Sequence, residues 1–357
     1  MMKLQTLAIF FLASASALAQ QPATVDETAR FLAGMPVTGA LESLTRESAW
    51  QAHVVAMDEA WLRKQQLQIV PIRDWMMANA PAYHTSNATM YYMFAGPDFL
   101  YANIFFPNAR TYVLAGLEPI GQVPDLTRLS PETLRSNLAA LRDSMNSILR
   151  FQYFITKDMR AGLGRGNVNG TLPILYVFLA RLGYTVLDVT PVSSPAEGVK
   201  ITFTRGGESQ TLYYFKTDLS GGNSPFLRWC AARGPGLSLL KAASFLLHGD
   251  GFSGARSFLL QNSRVIVQDD SGIPLRGFSK GWKVDCYGRY VPHRDEFEKY
   301  HQPDLAALYA HDPPPPPLGF AFGYHWQIED GILMVATREA LPALPAEKEP
   351  QELRIRK

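Results

Sequence analysis

Carboxylates at the ends of strand-like runs, a scatter of histidines and one serine in a tight turn are the residues best placed to do chemistry. Three runs read as strands end directly in acids: Asp98 in Gly96-Pro97-Asp98, Glu118 in Gly116-Leu117-Glu118-Pro119, and Asp269-Asp270 before Ser271-Gly272. In open α/β sheets the loops beyond strand carboxyl ends converge on one crevice, so acids there can meet a single ligand. Asp98, Glu118, Asp269 and Asp270 are therefore the candidate ligand-binding set. His248 and Asp250 stand two residues apart, as do His293 and Asp295, with His301 eight beyond His293. Carboxylates suit hard ions and imidazoles suit zinc. Nothing in that pattern has the spacing of a helical zinc motif, so the sequence alone implies no metal and no other cofactor. Ser253, in Gly251-Phe252-Ser253-Gly254-Ala255, precedes a helical run, a setting that can lift a nucleophilic hydroxyl to a helix amino terminus.

The Gly96 turn with Glu118 resembles the first turn of a nucleotide-binding Rossmann unit over about thirty residues, with one glycine where the phosphate loop has several. The resemblance implies a nucleotide whose ribose meets Glu118. The Ser253 pentapeptide is similar to the nucleophile elbow of α/β-hydrolases, with Ala255 in the last place. That likeness implies a triad completed by Asp269 or Asp270 and by His293, His301 or His325. Structural roles fit the same residues: Asp98 or Ser253 as a helix cap, Glu118 as an exposed loop acid. The Gly162-Leu163-Gly164-Arg165-Gly166 loop, near Arg160, offers backbone N–H groups to an anion or simple flexibility. Aromatics between Tyr91 and Phe106 suit either a pocket wall or core. Two functions follow: a binding or accessory protein for an unknown small molecule at the strand-end acids, or a hydrolase using Ser253 or a His-Asp metal pair. Whether the chain is an enzyme stays open between them.

The elements that must position these residues are legible as a mixed α/β fold: a mainly parallel three-layer sheet, an N-terminal helical region and an antiparallel hairpin. Apolar residues at three- and four-residue steps predict helix over 41–70, broken or kinked at Pro71, and a second helix to residue 79. Residues 20–38 read as an irregular lead-in. Strand, helix and strand over 90–95, 99–106 and 111–117 form a parallel β-α-β unit. Ser130-Pro131-Glu132 starts a helix with a hydroxyl cap and a first-turn proline and acid. A buried helix over 172–182 ends at Gly183, and strands over 199–204 and 211–216 flank the turn at Gly206-Gly207. Helices are predicted over 225–232, 236–248, 253–262 and 295–309, the last interrupted at Pro303, and strands over 184–190, 264–268, 283–287 and 332–337.

The chain has 357 residues, 47% of them hydrophobic and 18% charged, which suits a packed core. Residues 4–18 form an uncharged apolar run behind Lys3, closing on Ala17-Leu18-Ala19, the pattern of a cleavable secretory signal. At about fifteen residues it is short of the roughly twenty that span a bilayer. The expected organisation is a signal over 1–19, one α/β domain over 20–338 with helices near 40–79, and a disordered tail over 339–357. Export to a periplasm or the exterior follows, with no membrane span after cleavage. Charge is close to balanced, with 34 Lys and Arg against 32 Asp and Glu, so no footprint for nucleic acid or an anionic membrane exists. Cys230 and Cys286 fit either a disulfide, stabilising by ~4 kcal/mol in the chain-entropy model, or two free thiols.

Overall fold

The computed structural model describes residues 22–151, 153, 166–279, 281–294 and 296–338. Its strands are β1 (Met90–Tyr92), β2 (Thr111–Gly116), β3 (Thr185–Val192), β4 (Gly198–Arg205), β5 (Glu208–Lys216), β6 (Gly236–Leu240), β7 (Ser263–Gln268), β8 (Trp282–Gly288) and β9 (Ile332–Arg338). They form one sheet in the order β3-β4-β5-β2-β1-β6-β7-β9-β8. The five strands from β5 to β7 run parallel. At one end β3-β4-β5 is antiparallel, turning at Gly206-Gly207 with φ of +66° and +89°. At the other, β9 runs antiparallel to both β7 and β8.

Helices cover both faces. In chain order they are α1 (Val25–Leu32), α2 (Ser48–Lys64), α3 (Val70–Asn79), α4 (Pro81–His84), α5 (Phe99–Phe105), α6 (Pro131–Phe151), α7 (Leu172–Arg181), α8 (Pro225–Ala231), α9 (Ser253–Asn262) and α10 (Pro303–Tyr309). Successive strand residues point to opposite sides. Thus Tyr92, Leu114, Leu239 and Val267 pack with Phe31 of α1, Met57 of α2, Ile72 of α3, Leu100 of α5, Leu138 of α6 and Val177 of α7. Tyr91, Val113, Leu240 and Ile266 pack instead with Leu227 of α8 and Leu259 of α9. Three layers result. The caps explain several helix starts: Ser130 Oγ accepts from Thr133 N at 3.2 Å ahead of α6. No described helix is long and apolar enough to cross a membrane.

Several expectations need correction. Residues 20–38 are not wholly irregular: Thr24 caps α1, accepting from Glu27 N at 3.1 Å, and Phe31 and Leu32 are buried. The helix does not break at Pro71; a π turn at Gln65–Ile69 lies just before it. Proline lacks an N–H and its ring crowds the carbonyl four residues back, here Leu67, which the widened turn accommodates. Residues 236–240 are strand β6, not helix. A parallel strand buried on both faces needs no alternation, and Leu237, Leu239 and Leu240 imitate helical steps. Residues 296–302 are not α-helix; a 3-10 turn spans Glu298–Tyr300 and α10 starts only at Pro303. Cys230 and Cys286 are both free thiols, in separate apolar clusters, so no bridge forms. The expected signal over 1–19, Arg160 and residues 162–165 of the glycine-rich loop, Asp295 and the expected tail over 339–357 lie outside the described residues.

β6 fits only because it starts with glycine. A Cβ on Gly236 would stand 2.1 Å from the Thr89 carbonyl oxygen. Gly236→Ala is expected to lower unfolding stability by about 3 kcal/mol, read from urea denaturation. An unchanged midpoint would mean that β1 and β6 are not this close.

The crossover from β1 to β2 runs through α5 on one face, whereas β5 to β6 and β6 to β7 cross through α8 and α9 on the other. Strand order therefore reverses between β1 and β6. A crevice opens there, beyond the carboxyl ends of the strands.

Candidate functional site

A cavity of about 840 Å3 occupies that crevice, walled by the chain just after β1, β2, β5 and β6 and by two loops near residues 291–297 and 324–327. Asp98, Glu118, Lys241, His293 and His325 all line it. They come from five separate segments of sequence.

The floor is an ion pair. Asp98 Oδ1 caps α5 by accepting from Tyr101 N at 3.1 Å, and its Oδ2 accepts from Tyr92 Oη at 3.0 Å and meets Lys241 Nζ at 3.0 Å. Lys241 also lies over the Tyr101 ring, 3.9 Å from its centroid. The end of α2 and the π turn each aim one more polar group inward: Lys64 Nζ donates to Tyr101 Oη at 3.5 Å, and that hydroxyl donates to Gln68 Oε1 at 3.2 Å. Burial, then the charge of Lys241, pushes the Lys64 ammonium down to about 7. Burial lowers Lys241 too, against the pull of Asp98.

The Lys64 shift has a measurable sign. A lysine lowered from 10.5 to about 7 is neutral in the fold while the unfolded chain still holds its proton. Its contribution to stability therefore grows as pH rises across that window and is lost as pH falls through 7. Lys64→Met is expected to be more stable than the parent at pH 7, with the gap closing by at most about 1.4 kcal/mol per pH unit toward pH 9. Urea unfolding of both proteins at each pH checks this, and a gap independent of pH would contradict it.

After β6 the backbone is held in an uncommon shape. Ala242, Ser244 and Phe245 have φ of +51°, +54° and +58°, the left-handed region that costs non-glycine residues roughly 1–3 kcal/mol each. The turn after β7 grips this run. Asp269 Oδ2 accepts from Ala242 N at 3.0 Å, and Ala243 N donates to Ser271 Oγ at 2.7 Å. Ser271 Oγ in turn donates to Asp269 Oδ1 at 2.6 Å. Tyr324 Oη closes the clamp on the Ala242 carbonyl at 3.0 Å. Burial, then the neighbouring Asp270 charge, pushes Asp269 upward. Gly323, at φ +69°, is required here, because a Cβ would fall 2.0 Å from Asp269 Oδ2. Its bare backbone lets the loop carrying Tyr324 and His325 pack against the end of β7.

That packing assembles a second group. His293 Nε2 lies 3.2 Å from Asp270 Oδ2, and His325 Nε2 lies 3.8 Å from Oδ1. One donor atom from each of the three residues falls within 4.8 Å of the others. Donors about 2.0–2.2 Å from one tetrahedral ion stand about 3.4 Å apart, so small rotations would close this set on a metal. Asp270 is wholly buried, yet its Oδ1 accepts no hydrogen bond among the described residues. Burial alone would raise the Asp270 carboxyl, but His293 and then His325 outweigh it and keep the group ionised. Gln302 Nε2 fixes the Asp270 carbonyl at 3.0 Å, and the Phe245 ring meets His293 edge-on with centroids 5.4 Å apart. Two imidazoles and a carboxylate with room on one side form a donor set used by catalytic zinc.

The residues singled out from sequence end in different places. Asp98 and Glu118 share the cavity wall, with Tyr214 Oη donating to the Glu118 carbonyl at 2.8 Å. Asp269 and Asp270 sit behind it, one as a clamp and one between the histidines. The carboxylate cap of Asp98 occupies the place where a Rossmann unit would hold phosphate, so the implied nucleotide has no anion site there. Ser253 is not on a nucleophile elbow: a 3-10 turn at Asp250–Phe252 leads into it, not a strand, and the residue opens α9. Asp250 pairs with Arg256 at 3.5 Å, and His301 Nδ1 with Tyr290 Oη at 3.0 Å, so neither joins the cluster. His248 stands against Phe245, centroids 5.1 Å apart. Nothing local marks Lys241, because the leucines over 236–248 imitate helical spacing and hide the strand end that it follows. No family model matches this chain, and no match was found among curated proteins or solved structures.

Proposed function

We propose that this protein is an exported, divalent-metal-dependent hydrolase whose ion, best zinc, is held by Asp270, His293 and His325 at the side of the crevice. One observation carries the reading: three metal-type donors from positions 270, 293 and 325 converge, around a buried carboxylate oxygen that accepts no hydrogen bond among the described residues and has the His325 ring 3.8 Å away. The uncharged run at residues 4–18 supports export. Zinc with three protein ligands would lower the pKa of a bound water to about 7 and polarise a carbonyl. Asp270 supplies the one negative charge, and the histidines bind as neutral rings. Gln302 anchors the Asp270 backbone and the Phe245 ring backs His293, leaving the side chains the small rotations that closing on an ion requires. Hydrolysis balances with water alone: oxygen joins the carbonyl carbon, the bond to the leaving oxygen or nitrogen breaks, and the leaving atom takes a water proton. An oxidative role for the same donors would need a further oxidant.

Metal content tests this directly. Purified protein, treated with chelator and then titrated with zinc, should bind about one equivalent at micromolar concentration or tighter and gain activity on an ester panel. Binding no tighter than about millimolar would end the proposal.

A further inference from the structure

We infer that the substrate of this crevice is an amphiphile, with its hydrolysable carbonyl at the Asp270–His293–His325 wall and an apolar acyl or aryl group held at the mouth. The inference rests on the hydrolase reading for its chemistry but has its own evidence. Leu117, Leu246 and Trp326 are 59%, 36% and 68% exposed, and all three line the cavity. They come from the residue after β2, from the 3-10 turn Leu246–His248 and from the loop carrying His325. Single exposed apolar residues are ordinary, but three converging from separate segments on one opening are what a binding mouth requires.

Inside the rim the apolar character continues. Phe94 and Phe252 line one part, edge to face with centroids 5.5 Å apart, and Phe297 and Tyr324 another, centroids 5.0 Å apart. Charge also reaches the rim, where exposed Asp218, Arg294 and Glu296 line the cavity, while on the floor Lys241 is neutralised by Asp98 and His293 and His325 face the same space. The rim therefore offers an acyl or aryl chain one apolar side beside a charged one. The volume agrees. About 840 Å3 is near the upper end for drug-sized ligands, far more than an acetyl ester fills.

The test uses the full chain, zinc-loaded and zinc-free. With p-nitrophenyl esters from acetate to octanoate, the loaded protein is expected to gain about tenfold or more in kcat/KM along the series, carried by KM. The double variant Leu117→Ser/Trp326→Ser should lose most of that gain. In parallel, zinc-free protein is titrated with unreactive octanamide and followed by calorimetry, with binding expected for the parent and weakened in the double variant. A second variant, Leu246→Ser, repeats the measurement if the double one fails to fold. Hydrolysis with no chain-length dependence would overturn the amphiphile and leave the hydrolase standing. Octanamide binding without zinc-dependent hydrolysis would support the amphiphile and remove the hydrolase. Absence of both octanamide binding and chain-length dependence would overturn the inference.

Discussion

Asp270→Asn is expected to cost at least about 100-fold in zinc affinity, with hydrolysis falling in step. Asparagine keeps the volume and the bond from Gln302 to the backbone, so the fold is little disturbed. It removes the only charge among the three donors, and a neutral amide oxygen is a poor ligand for zinc. His301→Ala is the matched control, since that ring bonds Tyr290 Oη and takes no part in the cluster. Calorimetric titration of both variants, with circular dichroism to confirm folding, gives the comparison. Parent-like affinity in Asp270→Asn, or equal losses in the two variants, would place any ion elsewhere.

Asp98→Ala is expected to be among the most destabilising single changes in the chain, at about 3–5 kcal/mol. The substitution leaves the Lys241 ammonium buried without its counter-charge, and it strips acceptors from Tyr92 Oη and Tyr101 N. The companion change separates charge from cap. Asp98→Asn with Lys241→Met keeps an acceptor for α5 and removes both charges, and should recover most of the loss. Denaturant unfolding of the single and double variants measures it. A double variant as unstable as Asp98→Ala would show that the ion pair is not what the mutation breaks.

Much of this architecture can be read from residue order. β2, β4, β5 and β7 are rich in β-branched and aromatic residues, and α6 starts where Ser130-Pro131-Glu132 says it should. β6 hides because Gly-Leu-Ser-Leu-Leu has no β-branched residue and its register depends on tertiary packing at Thr89. α1 hides behind the prolines and glycines around it. The acids were visible because strand ends have recognisable grammar. Their division of labour was not: Asp98 answers Lys241, Asp269 answers a strained turn, and only Asp270 meets histidines. Local spacing pairs His248 with Asp250 and His293 with Asp295, whereas the fold pairs Asp270 with rings 23 and 55 residues later. His325, in Tyr324-His325-Trp326, has no sequence neighbour that hints at this.

The strand order also says something about how a growing chain must manage itself. Once residue 216 has been synthesised, β1 through β5 can pair, and Met90–Tyr92 then forms the border of a half-sheet. That border is hydrocarbon on both sides and stays without its second neighbour until Gly236–Leu240 arrives. What becomes the middle of the mature molecule is thus, for a time, its stickiest margin, open to wrong pairing between nascent chains.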